Sequence, residues 1–335
     1  MMALDKSVIV IGEGVPDPKA CFGTTKDLKM AFPKQVFDMP VSENGMTGVC
    51  AGLALNGFKP VLIHMRQDFM MYSMDQIVNN IAKWYSMFGG QRSMPLVIKA
   101  FTGRGWGAGK QHSQNLEALF THIPGLKVVT ASCPKDAKGL MIAAIKDPNP
   151  VIILESRWIH PIMGEVDESL DVAPIGEAHV ISKGRDITIV SWGFMVNECR
   201  RAVDILRERD IYPDLLDLRT LRPLPTQDIL KSCFKTRDLL VVSDAWKTCG
   251  VSAEIVSYIA EQPDIKLKTP PTRLQCPDYS PASSPALIKG YYPTYIDIVK
   301  SVSRKLNIHI ELTVEELEPS LKPHDVPDKS FTGPF

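Results

Sequence analysis

The sequence predicts two α/β domains in series, each doubly wound around a largely parallel sheet. Three observations predict it. Short, continuous apolar runs recur along the chain, as strands buried on both faces require. Segments with helical spacing separate those runs. An irregular, acidic stretch from Met163 to Gly184 interrupts the series, and the same alternation then begins again.

The elements follow in order. Val8-Ile9-Val10-Ile11 reads as a buried strand, and Val36-Phe37 as a short one. Pro60 to Ile63, Pro95 to Ile98, Val128-Val129 and Val151 to Leu154 read the same way. Helices are expected at Gly45 to Leu55, Asp75 to Phe88 and Lys135 to Ile145. The second of these carries its own signals. Ser73 suits the N-cap, Gln76 completes a capping box, and Gly89-Gly90 stops the helix. Residues 1–165 form the first expected domain and 166–185 a linker. The second domain, 186–306, opens on Ile187 to Val190 and continues through a helix at Asn197 to Arg209. Leu215-Leu216 and Leu239 to Val242 are further strands, and Val251 to Ala260 and Thr294 to Leu306 further helices. Residues 307–335 hold an acidic patch (Glu315, Glu316, Glu318) and four prolines, the mark of an extended tail that could lie on a partner.

Bulk composition excludes several classes. Lys+Arg and Asp+Glu both number 38, which argues against nucleic acid or an anionic membrane as the main partner. The seven cysteines are scattered with no Cys-x-x-Cys, so neither a zinc ribbon nor a disulfide framework is expected, and a reducing cytoplasm suits them. Met1 to Lys6 leads straight into a strand and no apolar run is long enough to span a bilayer, so neither a secretory signal nor a membrane anchor is expected.

The chemistry concentrates in two places. Glu43 follows the apolar run Met39-Pro40-Val41 and stands at the mouth of a helix of small residues. A carboxyl held out of water there gains proton affinity. The plain alternative is a first-turn glutamate facing a helix dipole. His112, in Gln111-His112-Ser113-Gln114, follows Gly103, Gly105, Gly107 and Gly109, and glycines let a loop approach a ligand closely. An imidazole there could donate to a carboxylate or move a proton near neutral pH.

Six motifs in order give these residues a setting: VIVIGEGV from Val8, FDMPVSENGMTGVCAGLALNGFKPV from Phe37, DFMMYSMDQIVNNIAKWYSMFGG from Asp68, AGKQHSQNLEALFTHIPGLKVV from Ala108, PKDAKGLMIAAIKDPNPVIILE from Pro134 and LLDLRTLRPL from Leu215. Together, over roughly residues 8 to 306, they resemble the β subunit of thiamine-diphosphate-dependent 2-oxo-acid dehydrogenases, the decarboxylating component of the pyruvate dehydrogenase type. The resemblance implies a pyrimidine-binding domain followed by a transketolase C-terminal-like domain. It implies that Glu43 bonds the aminopyrimidine ring of the cofactor and that Phe69 stacks on it, with Glu13 and Tyr72 nearby. His112 would face the reacting carbon. Ala144, Asp147 and Asn149 match a segment that, in relatives, wraps a monovalent cation such as K⁺ with backbone carbonyls; a plain helix end before Pro148 and Pro150 is the alternative.

No Gly-Asp-Gly occurs in the chain, the segment through which this class holds the diphosphate and Mg²⁺. The resemblance therefore implies a separate α subunit carrying that motif, a second β chain to complete a heterotetramer, and a lipoyl acyltransferase core as a further partner. The expected reaction is decarboxylation of a small 2-oxo acid, pyruvate by default, with acyl transfer to lipoamide. The alternative is a two-subunit transketolase-like or acyloin-forming carboligase that passes the activated aldehyde to a sugar or other carbonyl acceptor. Two departures bear on that choice: Gly14 stands where the family has an acid, and the loop Pro16 to Ala20 lacks the usual Gly-Gly. A non-catalytic scaffold is the third reading, and the joint presence of Glu43, Phe69 and His112 counts against it.

Overall fold

The computed structural model describes residues 1–19, 21–104 and 107–317. Its contacts divide it into two compact units. Among the described residues, Met1–Thr102 and Leu119–Ile175 make the first; Gly103–Ala118 and residues 176–317 make the second. Each is an α/β unit built on its own sheet.

In the first unit the strands are β1 (Val8–Gly12), β2 (Val36–Phe37), β3 (Lys59–His64), β4 (Val97–Thr102), β5 (Lys127–Val129) and β6 (Val151–Ser156). They lie in the order β5-β6-β4-β3-β1-β2 and are parallel throughout. β1, β4 and β6 are buried along their whole length, which is why they read as unbroken apolar runs. The chain leaves β1 for one neighbour, β2, and leaves β3 for the other side, β4. The gap between β1 and β3 is thus the switch point of this sheet, the place where open parallel sheets form ligand crevices at their strand C-termini.

The second unit holds β7 (His179–Ser182), β8 (Ile187–Ser191), β9 (Pro213–Asp217), a short strand β10 (Thr220–Arg222), β11 (Leu239–Trp246) and β12 (Thr272–Cys276). Five of them form the order β12-β11-β8-β9-β7, with β7 antiparallel at the edge and its switch point between β8 and β11. Helices Met195–Arg207 and Tyr295–Leu306 pack on the sheet through Met195, Cys199, Leu206, Ile298 and Val302, all fully buried. Thr294 and Asp297 form a reciprocal capping box that starts the latter helix.

Four local outcomes differ from the sequence reading. The helix expected at Asp75 to Phe88 instead belongs to a longer helical path: an α-turn at Gln67–Met70, a tighter turn at Met71–Ser73, a widened π-turn at Asp75–Ile81 and an α-turn at Trp84–Met87. Ser73 does not cap it; its hydroxyl instead accepts from Thr47 Oγ1 at 2.9 Å, both side chains fully buried. The stretch 166–185 contains the edge strand His179–Ser182, whose first residues are exposed and so show no apolar run. Helix Thr226–Thr236 gave little apolar signal because part of its buried face is polar: Ser232 and Thr236 both bond the Thr188 hydroxyl at 2.7 Å. The expected tail is described as far as Leu317, where a short helix at Val314–Leu317 packs against the second unit; the prolines from Pro319 on lie outside the described residues. No described helix is long and apolar enough to cross a membrane.

Candidate active site

The first unit gathers acids at its switch point. Gly12 ends β1 where a side chain cannot fit, since a Cβ would fall 2.5 Å from the Ile63 carbonyl oxygen. Glu13 follows at once. Gly14, at φ +65°, donates its N–H to Asp38 Oδ1 at 3.0 Å, which ties the end of β1 to the end of β2. The Cys21 thiol donates to the Glu13 carbonyl at 3.3 Å and closes the loop from behind. Glu13 is half-buried, and its Oε1 is shielded from solvent with no hydrogen-bond partner among the described residues. Burial, then the charges of Glu43 and Asp38, raise its carboxyl above the usual range. Three carboxyls thus share one corner without a compensating cation recorded for any of them among the described residues, an arrangement suited to a proton or to a ligand that brings a donor.

Glu43 is the first residue of helix Glu43–Leu55 and is half-buried. Ser42 occupies the N-cap but makes no side-chain cap bond, so it leaves the first-turn N–H groups to other partners. The Thr47–Ser73 bond fastens this helix to the path that carries Phe69. Glu13 and Glu43 therefore lie near one another, and Phe69 belongs to the same unit, on a path bonded to the Glu43 helix. Phe69 is half-buried; Tyr72, three residues on, is 73% exposed.

His112 lies in the segment that groups with the second unit, and is half-buried. Gly103, Gly107 and Gly109 all adopt positive φ around it, and its N–H donates to the Gly109 carbonyl at 3.3 Å. Gly105, also in the motif, lies outside the described residues. At the third predicted place, helix Pro134–Lys146 stops at Asp147. One Asp147 oxygen accepts from Asn149 N at 2.9 Å and the other meets Lys127 Nζ at 2.5 Å, so the carboxylate is already matched by a cation. Only backbone carbonyls are left there for a bound ion. Among the described residues no group of three or more His, Cys, Asp or Glu is arranged to hold a metal.

Sequence reasoning passed over two features. Arg66 and Arg157, both nearly enclosed, flank the Phe22 ring, at 5.8 Å and 3.9 Å from its centre. Burial, then the Arg66 charge, draws the Arg157 guanidinium down to about 10. Beneath them Glu155 sits between Lys99 at 3.1 Å and His160 at 2.8 Å. Burial alone would raise this carboxyl, and the two partners overcome it and hold it at about 2. The only sequence signal was a basic residue just past a buried strand, as in His64-Met65-Arg66. His64 itself keeps the structural reading: it is 2% exposed, and burial pushes its imidazole down to about 4, so it is neutral. The second missed feature is Glu117, five residues after His112 in the same motif and almost wholly enclosed.

Comparison with known proteins agrees with this geometry. Residues 1–161 match the transketolase pyrimidine-binding domain and residues 176–298 the transketolase C-terminal domain. The β subunit of acetoin:2,6-dichlorophenolindophenol oxidoreductase from Cupriavidus necator is 38% identical over 91% of this chain and 93% of its own. The pyruvate dehydrogenase E1 β subunit of Rickettsia felis is 34% identical over 90% of this chain and 93% of its own. A solved structure, the inactive β4 tetramer of a split-gene transketolase, shares the fold with a TM-score of 0.75 at 22% identity, over 91% of this chain and 94% of its own. A pyrimidine-binding unit with an acid pair at its switch point, joined to a transketolase C-terminal unit, places this chain in the β-subunit family that includes the pyruvate dehydrogenase E1 and acetoin oxidoreductase β subunits.

Proposed function

We propose that the chain is the β half of a thiamine-diphosphate enzyme that decarboxylates a small 2-oxo acid, pyruvate by default, and passes the acyl group to lipoamide. One observation carries the reading: Glu13, with its orphaned oxygen, and Glu43 share the switch point of a pyrimidine-binding unit, with Phe69 on an element fastened to the Glu43 helix. These residues fit the aminopyrimidine half of the cofactor. When bound, thiamine diphosphate supplies a carbanion and then an electron sink for the bond to CO₂. Glu43 would hold a proton at the ring nitrogen of the pyrimidine, and Glu13 would keep the corner acidic and dry. Phe69 would offer its face to a flat heterocycle. His112 would orient the 2-oxo acid through its carboxylate or move a proton in the acyl transfer. The diphosphate and Mg²⁺ belong to an α subunit, since this chain has no Gly-Asp-Gly.

The surface around these residues supports a partner. Val41 is 82% exposed two residues before Glu43, and Tyr72 is nearly as open beside Phe69. Large apolar side chains bared beside the site are what a covering subunit would bury. A second β chain and a lipoyl acyltransferase core complete the proposed assembly. Any monovalent cation near Ala144 and Asn149 would be held by carbonyls and serve only the fold.

A second reading rests on a specific observation. The acetoin-oxidising relative is as similar to this chain as the pyruvate dehydrogenases are, and acetoin is an acyloin, the product class of carboligation. Reconstitution with the α subunit decides. Lipoamide reduction driven by pyruvate supports the dehydrogenase. No lipoamide turnover, with acyloin formation from an aldehyde acceptor, replaces it with the carboligase.

A further inference from the structure

Glu117 closes a buried polar frame at the second unit's own switch point. The segment that carries His112 is cinched at its base by Gly103 N donating to the Gln114 carbonyl at 2.7 Å. On one side of that cinch, the Arg104 guanidinium lies over Tyr292 at 4.5 Å and Phe194 at 5.1 Å. On the other, Asn115 Nδ2 donates to Asp244 Oδ1 of β11 at 2.9 Å, and Asn115 Oδ1 accepts from Glu117 N at 3.4 Å. Glu117 Oε2 then accepts from the indole N–H of Trp192, just past β8, at 2.9 Å. The described part of the segment is thus bolted to β8 and β11, with His112 between the bolts.

The charges in this frame do not balance if both acids ionise. Facing Glu117 are Asp244 on β11, Cys276 of β12, Trp192 after β8 and Asn115 on its own segment; Arg104, Cys276 and Tyr291 stand around Asp244. One guanidinium serves two carboxyls. Burial raises the Asp244 carboxyl as well, but there Arg104 and the Asn115 amide oppose it, so Asp244 is the better place for the single negative charge. Glu117 Oε2 accepts the Trp192 indole N–H and the Asn115 side chain also favours its charged form, but its Oε1 is buried with no hydrogen-bond partner among the described residues. An orphaned oxygen costs far less on a neutral acid than on a carboxylate. Burial and then Asp244 accordingly push the Glu117 carboxyl up to about 8.

We propose that Glu117 is a positioning residue: as a neutral acid it locks the His112 segment onto β8 and β11, and its ionisation in mildly alkaline solution unlocks that segment. The relevance to catalysis rests on the reading of His112 given above; the lock itself does not. Ionisation sets a second negative charge beside Asp244 in an enclosed site where Arg104 is the cation facing Asp244 among the described residues. The segment relieves this by letting water in.

Hydrogen exchange on the full chain, read by mass spectrometry and corrected for the intrinsic pH dependence of exchange, tests the lock without cofactor or substrate. Protection of peptides from 107–118 should fall about tenfold or more between pH 6.5 and pH 9, a cost of about 1.4 kcal/mol or more, while β8 and β11 hold. Glu117→Gln, neutral at every pH, should abolish the pH dependence. Flat protection in the wild-type chain, which needs no variant to fold, overturns the lock; so does an unchanged pH response in Glu117→Gln. In the enzyme assembled with its α subunit, the alkaline limb of kcat/KM should track the exchange. Loss of protection with no alkaline limb keeps the lock and removes the role given to His112.

Discussion

Two acid clusters occupy equivalent places in the two units, each at the switch point of a parallel sheet, and they are built in opposite ways. Around Glu13 and Glu43 the acids are half-buried, mutually repelling and short of partners. Around Glu117 and Asp244 they are enclosed, and an indole, an amide and a guanidinium from the same chain share the load. The first cluster is short of donors among the described residues, as the proposed ligand site would be. The second has more donors from its own chain, and on the proposal above a retained proton relieves the oxygen they leave unmatched. On these proposals an acid with raised proton affinity belongs to a ligand site in one case and to a structural lock in the other, and the donors its own chain supplies tell them apart.

The sharpest way to break this contrast is to neutralise the acid proposed to meet the cofactor. Glu43→Gln should leave assembly with the α subunit unchanged, as read by sedimentation, and lower turnover by about 10²- to 10⁴-fold. Turnover close to wild type would make Glu43 the dipole-facing residue of the plain reading. In the closed cluster the expected loss is of stability. Glu117→Ala strands the Trp192 N–H and opens a hole, and should cost about 2–3 kcal/mol in urea unfolding. Glu117→Gln keeps the acceptor and should cost less than about 1 kcal/mol.

The pH dependence of stability sharpens the same point. Glu117 keeps its proton in the folded chain at pH values where the unfolded chain has lost it. Its contribution is therefore whole below the ordinary glutamate range and is lost as pH rises through about 8. Urea midpoints should fall from pH 6 to pH 9 in the wild-type chain and fall less in Glu117→Gln. The smallest effect belongs to the open cluster and has the opposite sign. Glu13→Gln removes a repelling charge and should stabilise the isolated chain by up to about 1 kcal/mol, while turnover drops. A destabilised chain would mean that Glu13 already has its partner.

How much of this could be read from the sequence follows from what each residue is buried against. β1, β3, β4, β6 and β8 were legible because strands covered on both faces must be apolar along their length. Glu43, Phe69 and His112 were singled out through their motifs, and their proposed roles await the experiments above. Helix Thr226–Thr236 was not, because its packing rests partly on hydroxyls. Ser73 was misread as a cap, since a serine before an acidic turn looks the same whether it caps or bonds Thr47. Glu117 was hidden by the very motif that exposed His112. Its neighbours Leu116, Ala118, Leu119 and Phe120 were the available hint that the acid points inward.

The interleaving of residues 103–118 with the later half of the chain also bears on how such a protein can be cut. A break near residue 170 respects both family domains on paper. It would nonetheless strip the histidine-bearing ribbon of Trp192, Asp244 and Tyr292, and leave behind a half whose glycines no longer have anything to brace against. The two halves are cassettes to a gene map but not to a protein chemist.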